Sequence, residues 1–121
     1  MSAGDLAARF FDRETIIAAE DLDGATFVVR ELSAGYCQPW RCGYVVFAGD
    51  PMPDIGNAEM HGSWPVHGGV TFDRVLRGDR ALGWDYNHYC DVGPERLPAM
   101  DAIRAEARAL IAFVRSGEVS A

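Results

Sequence analysis

Residues 15–32 read TIIAAEDLDGATFVVREL, and the parsing of this stretch decides the fold. Thr26-Phe27-Val28-Val29 is aromatic and β-branched, the composition of a strand. Asp23-Gly24 separates it from an earlier apolar run, and an Asp-Gly pair in that position closes a two-residue hairpin. The stretch therefore predicts two antiparallel strands, Thr15 to Leu22 and Ala25 to Leu32. The first arm is ambiguous, because Ile16-Ile17-Ala18-Ala19-Glu20 also suits a helix.

On the N-terminal side, Ser2 precedes Asp5 by three residues as a capping pair. Leu6, Ala7, Phe10 and Phe11 then share one helical face, which predicts a short first helix. On the other side, Gly35 and Pro39 mark a turn, Cys42 to Phe47 reads as a strand, and Gly49-Asp50-Pro51 ends it. From there to Gly69 the chain is rich in Pro and Gly and has no period, a loop of roughly twenty residues of the kind that more often serves function than accident. Val70 to Leu76 reads as a strand, Arg77-Gly78-Asp79-Arg80 as a turn, and Ala81 to Tyr86 as a strand. Pro94 and Pro98 lead into the clearest element, a helix with Met100, Ile103, Ala107, Leu110, Ile111 and Val114 on one stripe. Arg104, Arg108 and Arg115 face away from that stripe, and Gly117 ends the helix. The expected class is α+β: an antiparallel sheet of about four strands, a C-terminal amphipathic helix on one face, and a short N-terminal helix. Strand order is not legible in the pattern.

A chain of 121 residues suits one domain, residues 1–121, and buries enough surface for a real core. Eighteen acids against eleven arginines give a net charge of −7, which repels a phosphate backbone and argues against nucleic acid as partner. No apolar stretch approaches the eighteen or so residues of a membrane span, and the N-terminus lacks a signal-peptide pattern, so no membrane partner and a cytoplasmic location are expected. The odd set Cys37, Cys42 and Cys90 suits a reducing compartment and buried small hydrophobes better than disulfides. With a histidine the three would make up a Cys3His zinc site, although their spacing lacks a zinc signature. Nothing in the pattern demands an oligomer, and a symmetric homodimer is the form one would take.

The chemistry-bearing residues cluster in the second half, where His61, His67 and His88 all sit beside turn-forming or polar residues. In Val66-His67-Gly68-Gly69-Val70-Thr71 two glycines let the backbone turn tightly or approach a ligand, and an ordinary loop-to-strand bend explains them as well. Gly83-Trp84-Asp85-Tyr86-Asn87-His88-Tyr89-Cys90-Asp91 spaces Asp85, His88 and Asp91 by three. Convergence of that set requires the strand to end near Tyr86 and bend, and Asn87 favours a bend. With His67 as a further ligand, Asp85 and His88 would suit a divalent zinc, manganese or iron that lowers the pKa of a bound water, with Asp91 as general base or fourth ligand. The competing reading has Asp85 paired with an arginine, His88 bonded to a carbonyl and Asp91 capping a turn. Trp64, Trp84, Tyr86 and Tyr89 border the region, lining a pocket for a planar ligand or sealing a sheet edge.

These motifs, together with Trp40 to Val46 and its Cys-Gly-Tyr-Val core, resemble a family of small uncharacterised proteins of bacteriophages and bacteria, notably actinobacteria and firmicutes. The resemblance covers roughly residues 40 to 115. It implies that His67, Gly68, Gly69, Thr71, Asp85, His88 and Asp91 are the functional set, adding Thr71 to Asp91 as a catalytic candidate. Gly68, Gly69, Trp84 and Tyr86 are then the ligand-binding candidates, and His67, Asp85 and His88 the metal ligands. Cys90 stands where the family usually has glycine, which bears on how Asp91 is aimed. The family has no established activity. Three readings follow: a metal-dependent hydrolase of a phosphorylated or nucleotide-like substrate, a non-catalytic accessory protein that binds a small molecule or a host protein, and a polar cluster that staples loop to sheet.

Overall fold

The computed structural model describes residues 1–35, 38–49, 64–87 and 93–116. Helix α1 (Ala3–Phe10) opens with the capping box foreseen from Ser2 and Asp5: the Ser2 hydroxyl accepts from the Asp5 N–H, and the Asp5 carboxylate accepts from the Ser2 N–H. The ambiguous arm is a strand, β1 (Ile16–Leu22), paired antiparallel with β2 (Ala25–Leu32). Asp23 and Gly24 both take positive φ, 49° and 81°, which is what a type I′ hairpin requires of its central pair. Arg77 and Gly78 repeat the device between β4 (Phe72–Leu76) and β5 (Asp79–Asp85). With β3 (Trp40–Phe47) the sheet has five strands, one more than the pattern suggested, because the arm that also suited a helix is extended.

Strand order is β1-β2-β3-β5-β4, with every neighbour antiparallel. The chain leaves β3, skips a place to make the edge strand β4, and returns through β5 into the gap. Both faces of the sheet are covered. Phe27, Val29, Val45, Leu82 and Trp84 pack with Ile103, Ala107, Leu110, Ile111 and Val114 of α2 (Met100–Arg115). Val28, Tyr44, Val46 and Ala81 pack on the other side with Leu6, Ala7, Phe10 and Phe11, from α1 and the residue after it. Burial on both sides is why Ala25 to Val29 and Cys42 to Phe47 are apolar runs and do not alternate with polar residues.

Two glycines make room for the largest side chains of this core. Gly43 pairs with Trp84 and Gly83 with Tyr44 across β3 and β5. A Cβ on Gly43 would lie 2.5 Å from the Trp84 ring, and one on Gly83 would lie 2.5 Å from the Tyr44 ring. Trp84 thus lies over Gly43 on the α2 face, and Tyr44 over Gly83 on the α1 face. No described helix is long and apolar enough to cross a membrane.

Candidate functional site

The segment entering β4 crosses the end of the sheet on the α2 side. Trp64, Val66 and Val70 are buried there, with the Trp64 ring 5.5 Å from that of Phe113. Gly68 and Gly69 have φ of 72° and 79°, and the Gly69 N–H closes a turn onto the Val66 carbonyl at 3.0 Å. A Cβ at Gly69 would meet nothing within 4 Å, so this glycine answers to its dihedral and not to close approach.

That turn presents His67 to α2. Its backbone N–H donates to Glu106 Oε1 at 2.7 Å, and its ring stacks on Tyr86 with centroids 5.0 Å apart and planes at 18°. The Tyr86 hydroxyl accepts from Trp84 Nε1 at 2.9 Å and donates to Glu106 Oε2. Trp84, Tyr86, Glu106 and His67 form one polar cluster between sheet and helix. Burial pushes the Glu106 carboxyl up from its ordinary value, opposed by the His67 backbone N–H, the His67 ring and the Trp84 indole.

Asp85 lies on the opposite face. Successive strand residues point to alternate sides, so Asp85 sits across from Cys42 while Trp84 and Tyr86 face α2. Its Oδ2 accepts from the Thr71 hydroxyl at 2.9 Å, and its Oδ1 accepts from the Asn87 N–H at 3.0 Å, an Asx turn that bends the chain as soon as β5 ends. The bend expected near Tyr86 is present. Thr71 is itself fixed by its N–H, which donates to the Gly83 carbonyl at 2.9 Å.

The structure therefore brings Thr71 to Asp85, and His67 to Tyr86, whose side chain faces α2, opposite to Asp85. The expected set of His67, Asp85 and His88 is not seen together among the described residues, because His88 lies outside them. Among the described residues no three His, Cys, Asp or Glu side chains could hold a metal ion together. His61, His88, Tyr89, Cys90, Asp91 and Cys37 lie outside the described residues, as does Gly117.

Thr71 and Asp85 form part of the wall of a cleft of about 460 Å³ on the α1 face. Its other walls are Leu32, Trp40, Cys42, Tyr44, Phe72 and Asn87, with Trp84 at the back. Tyr44 and Phe72 meet edge to face at 5.3 Å, and Arg30 Nη1 donates to the Tyr44 hydroxyl at 3.2 Å. Burial pushes up both the Cys42 thiol and the Tyr44 hydroxyl, which keeps Cys42 in its weakly nucleophilic form. A larger hollow of about 580 Å³ lies at the other end of this face. Two of its charged groups engage each other: Arg9 pairs with Asp79 at 3.4 Å, and Asp79 also accepts from the Gly49 N–H at 2.9 Å.

Glu106 was absent from the residues singled out in the sequence, yet it carried a signal. It lies three residues after Ile103 and four before Leu110, on the apolar stripe of α2, where an acid must find partners. Trp40, Tyr44 and Phe72 carried none, since aromatic residues in strands are ordinary core. Comparison with protein-family models, curated proteins and solved structures finds no match for this chain.

Proposed function

We propose that this chain is a small-molecule-binding protein whose site is the cleft between Trp40, Tyr44 and Phe72 on one side and Thr71, Asp85 and Asn87 on the other. The observation that carries this reading is the Asp85 carboxylate, held on both oxygens at the wall of an otherwise largely aromatic cleft. Small-molecule sites have this make-up: a few hundred Å³, apolar walls and a small number of oriented polar groups. The ligand expected is planar and carries an amine or amidine. Stacking on the aromatic walls supplies affinity, and Asp85 supplies orientation.

Binding is favoured over hydrolysis because the described part of the site combines a buried thiol of raised pKa with a carboxylate whose proposed co-ligand His67 faces away. In this reading Thr71 and Asp85 bind and do not catalyse. The motif resemblance supports a place among phage-type and bacterial accessory proteins acting in the cytoplasm. The test is a titration with benzamidine and benzylamine, followed by NMR chemical shifts of wild type and Asp85→Asn. Saturable shifts of Trp40, Tyr44 and Phe72 that vanish in the variant are expected. Absence of any shift, together with stoichiometric zinc, manganese or iron that Asp85→Ala releases, would replace this reading with the hydrolase.

A further inference from the structure

The hollow of about 580 Å³ on the α1 face rests on three neighbouring strands, where Asp21 of β1, Thr26 of β2 and Val46 of β3 lie side by side. Residues paired directly across an antiparallel ladder point to the same face, so the Asp21 and Thr26 side chains are neighbours. Leu6 and Arg9 of α1, with Asp79 of β5, line it as well. None of the described lining residues is aromatic, which sets the hollow apart from the cleft at Tyr44 and Phe72.

Among the described residues, two of these polar groups lack a partner. Thr26 is only 6% exposed, yet its hydroxyl makes no side-chain hydrogen bond there. Asp21 is exposed, and its carboxylate makes neither a hydrogen bond nor an ion pair there, not even with the adjacent Thr26. A buried hydroxyl is nearly always bonded, and one that is not needs a reason. Opening onto the hollow supplies that reason. Arg9 and Asp79 offset each other's charge at 3.4 Å, so among the described lining side chains the charge left without a counterpart is that of Asp21.

We propose that this hollow is a second ligand site, separate from the cleft, and that it takes a small aliphatic ammonium ion. A carboxylate and a hydroxyl side by side both accept hydrogen bonds, and a primary ammonium has three donors and no acceptor, so one ion bonds to both. Its charge matches that of Asp21, and a hydrogen bond between charged partners is roughly twice as strong as a neutral one. The alkyl part lies against Leu6 and Val46, both buried apolar side chains. An aromatic amine gains no stacking in the hollow, whereas Trp40, Tyr44 and Phe72 offer it in the cleft, so the two sites sort amines by whether they carry a ring.

Backbone-amide NMR titrations at low, constant ionic strength with butylammonium, butan-1-ol and butyrate test this on wild type, Asp21→Asn and Thr26→Val. Saturable shifts at Asp21, Gly24 and Thr26 are expected with butylammonium, with butan-1-ol about tenfold weaker and butyrate weaker still. Asp21→Asn should remove the preference for amine over alcohol. Thr26→Val, which keeps the shape of the side chain, should weaken the amine by a few fold. Equal affinity of amine and alcohol for wild type would overturn the proposal, and that comparison needs no variant, so a poorly folded substitution does not protect it. A preference that survives Asp21→Asn, or the absence of any saturable shift with butylammonium, would overturn it too. Shifts confined to Trp40, Tyr44 and Phe72 would place the amine in the cleft, overturning the second site while leaving the cleft reading standing.

Discussion

The backbone N–H of His67 donates to the Glu106 carboxylate at 2.7 Å, bridging 39 residues and tying the loop before β4 to the middle of α2. A histidine whose sequence context suggested metal ligation thus anchors the segment that delivers Thr71 to Asp85 four residues later. Its ring packs flat on Tyr86, and Tyr86 shares the same carboxylate.

Replacing Glu106 by leucine leaves the His67 N–H and the Tyr86 hydroxyl without their acceptor. Urea denaturation at neutral pH should show a loss of about 1–3 kcal/mol, the usual consequence of stranding buried donors. Glu106→Gln keeps an acceptor for His67 and should lose less. Equal losses for the two would assign the effect to the second carboxylate oxygen, which accepts from Tyr86, or to the charge.

The same carboxyl sets a pH dependence. Burial raises its folded-state pKa above the ordinary 4.5, so the folded chain holds that proton more tightly than the unfolded chain does. Its contribution to stability is fully present below 4.5 and is lost as pH rises through the folded-state value. Denaturation midpoints of wild type, referenced to Glu106→Gln, should therefore fall between pH 4.5 and neutrality. Parallel curves would show that the carboxyl is not desolvated.

Thr71→Val removes the hydroxyl that holds Asp85 Oδ2, at a position where Thr71 is exposed. The thermal midpoint should shift little, because an exposed hydrogen bond contributes on the order of 1 kcal/mol or less. Benzamidine affinity should fall by about tenfold if Asp85 needs that brace to orient its ligand. A large stability loss with unchanged affinity would reverse the roles assigned to the two properties.

Opposite placement of His67 and Asp85 makes a prediction about metal as well. If elemental analysis of untagged protein finds a bound ion that Asp85→Ala releases, His67→Ala should leave its stoichiometry unchanged. Loss of the ion in both variants would require the two side chains to meet, against the geometry of β5.

Gly43→Ala should cost about 1–3 kcal/mol by overpacking. Its Cβ would sit 2.5 Å from the Trp84 ring and 2.9 Å from Ile103, which is itself fully buried. A double variant that also shortens Trp84 to phenylalanine should recover part of the loss. Without recovery, the strain would lie elsewhere.

Local chemistry fixed the parts of this molecule that local chemistry can specify. Ser2 and Asp5 announce a capping box, Asp23-Gly24 a hairpin, and the stripe from Ile103 to Val114 a helix with one buried face, because each depends only on residues a few positions apart. The arm from Ile16 to Leu22 was undecided for the same reason: its residues suit either state, and pairing with β2 settles it. Of the candidate site residues, His67, Thr71 and Asp85 are engaged in polar contacts, but their grouping was not legible in the sequence. Only the tertiary structure places β5 between β3 and β4, sets Asp85 across from Cys42 with His67 on the far side, and brings Glu106 to its partners. The reason is physical: which face a strand residue occupies follows from register and strand order, and those are set by long-range packing that no short stretch of sequence encodes.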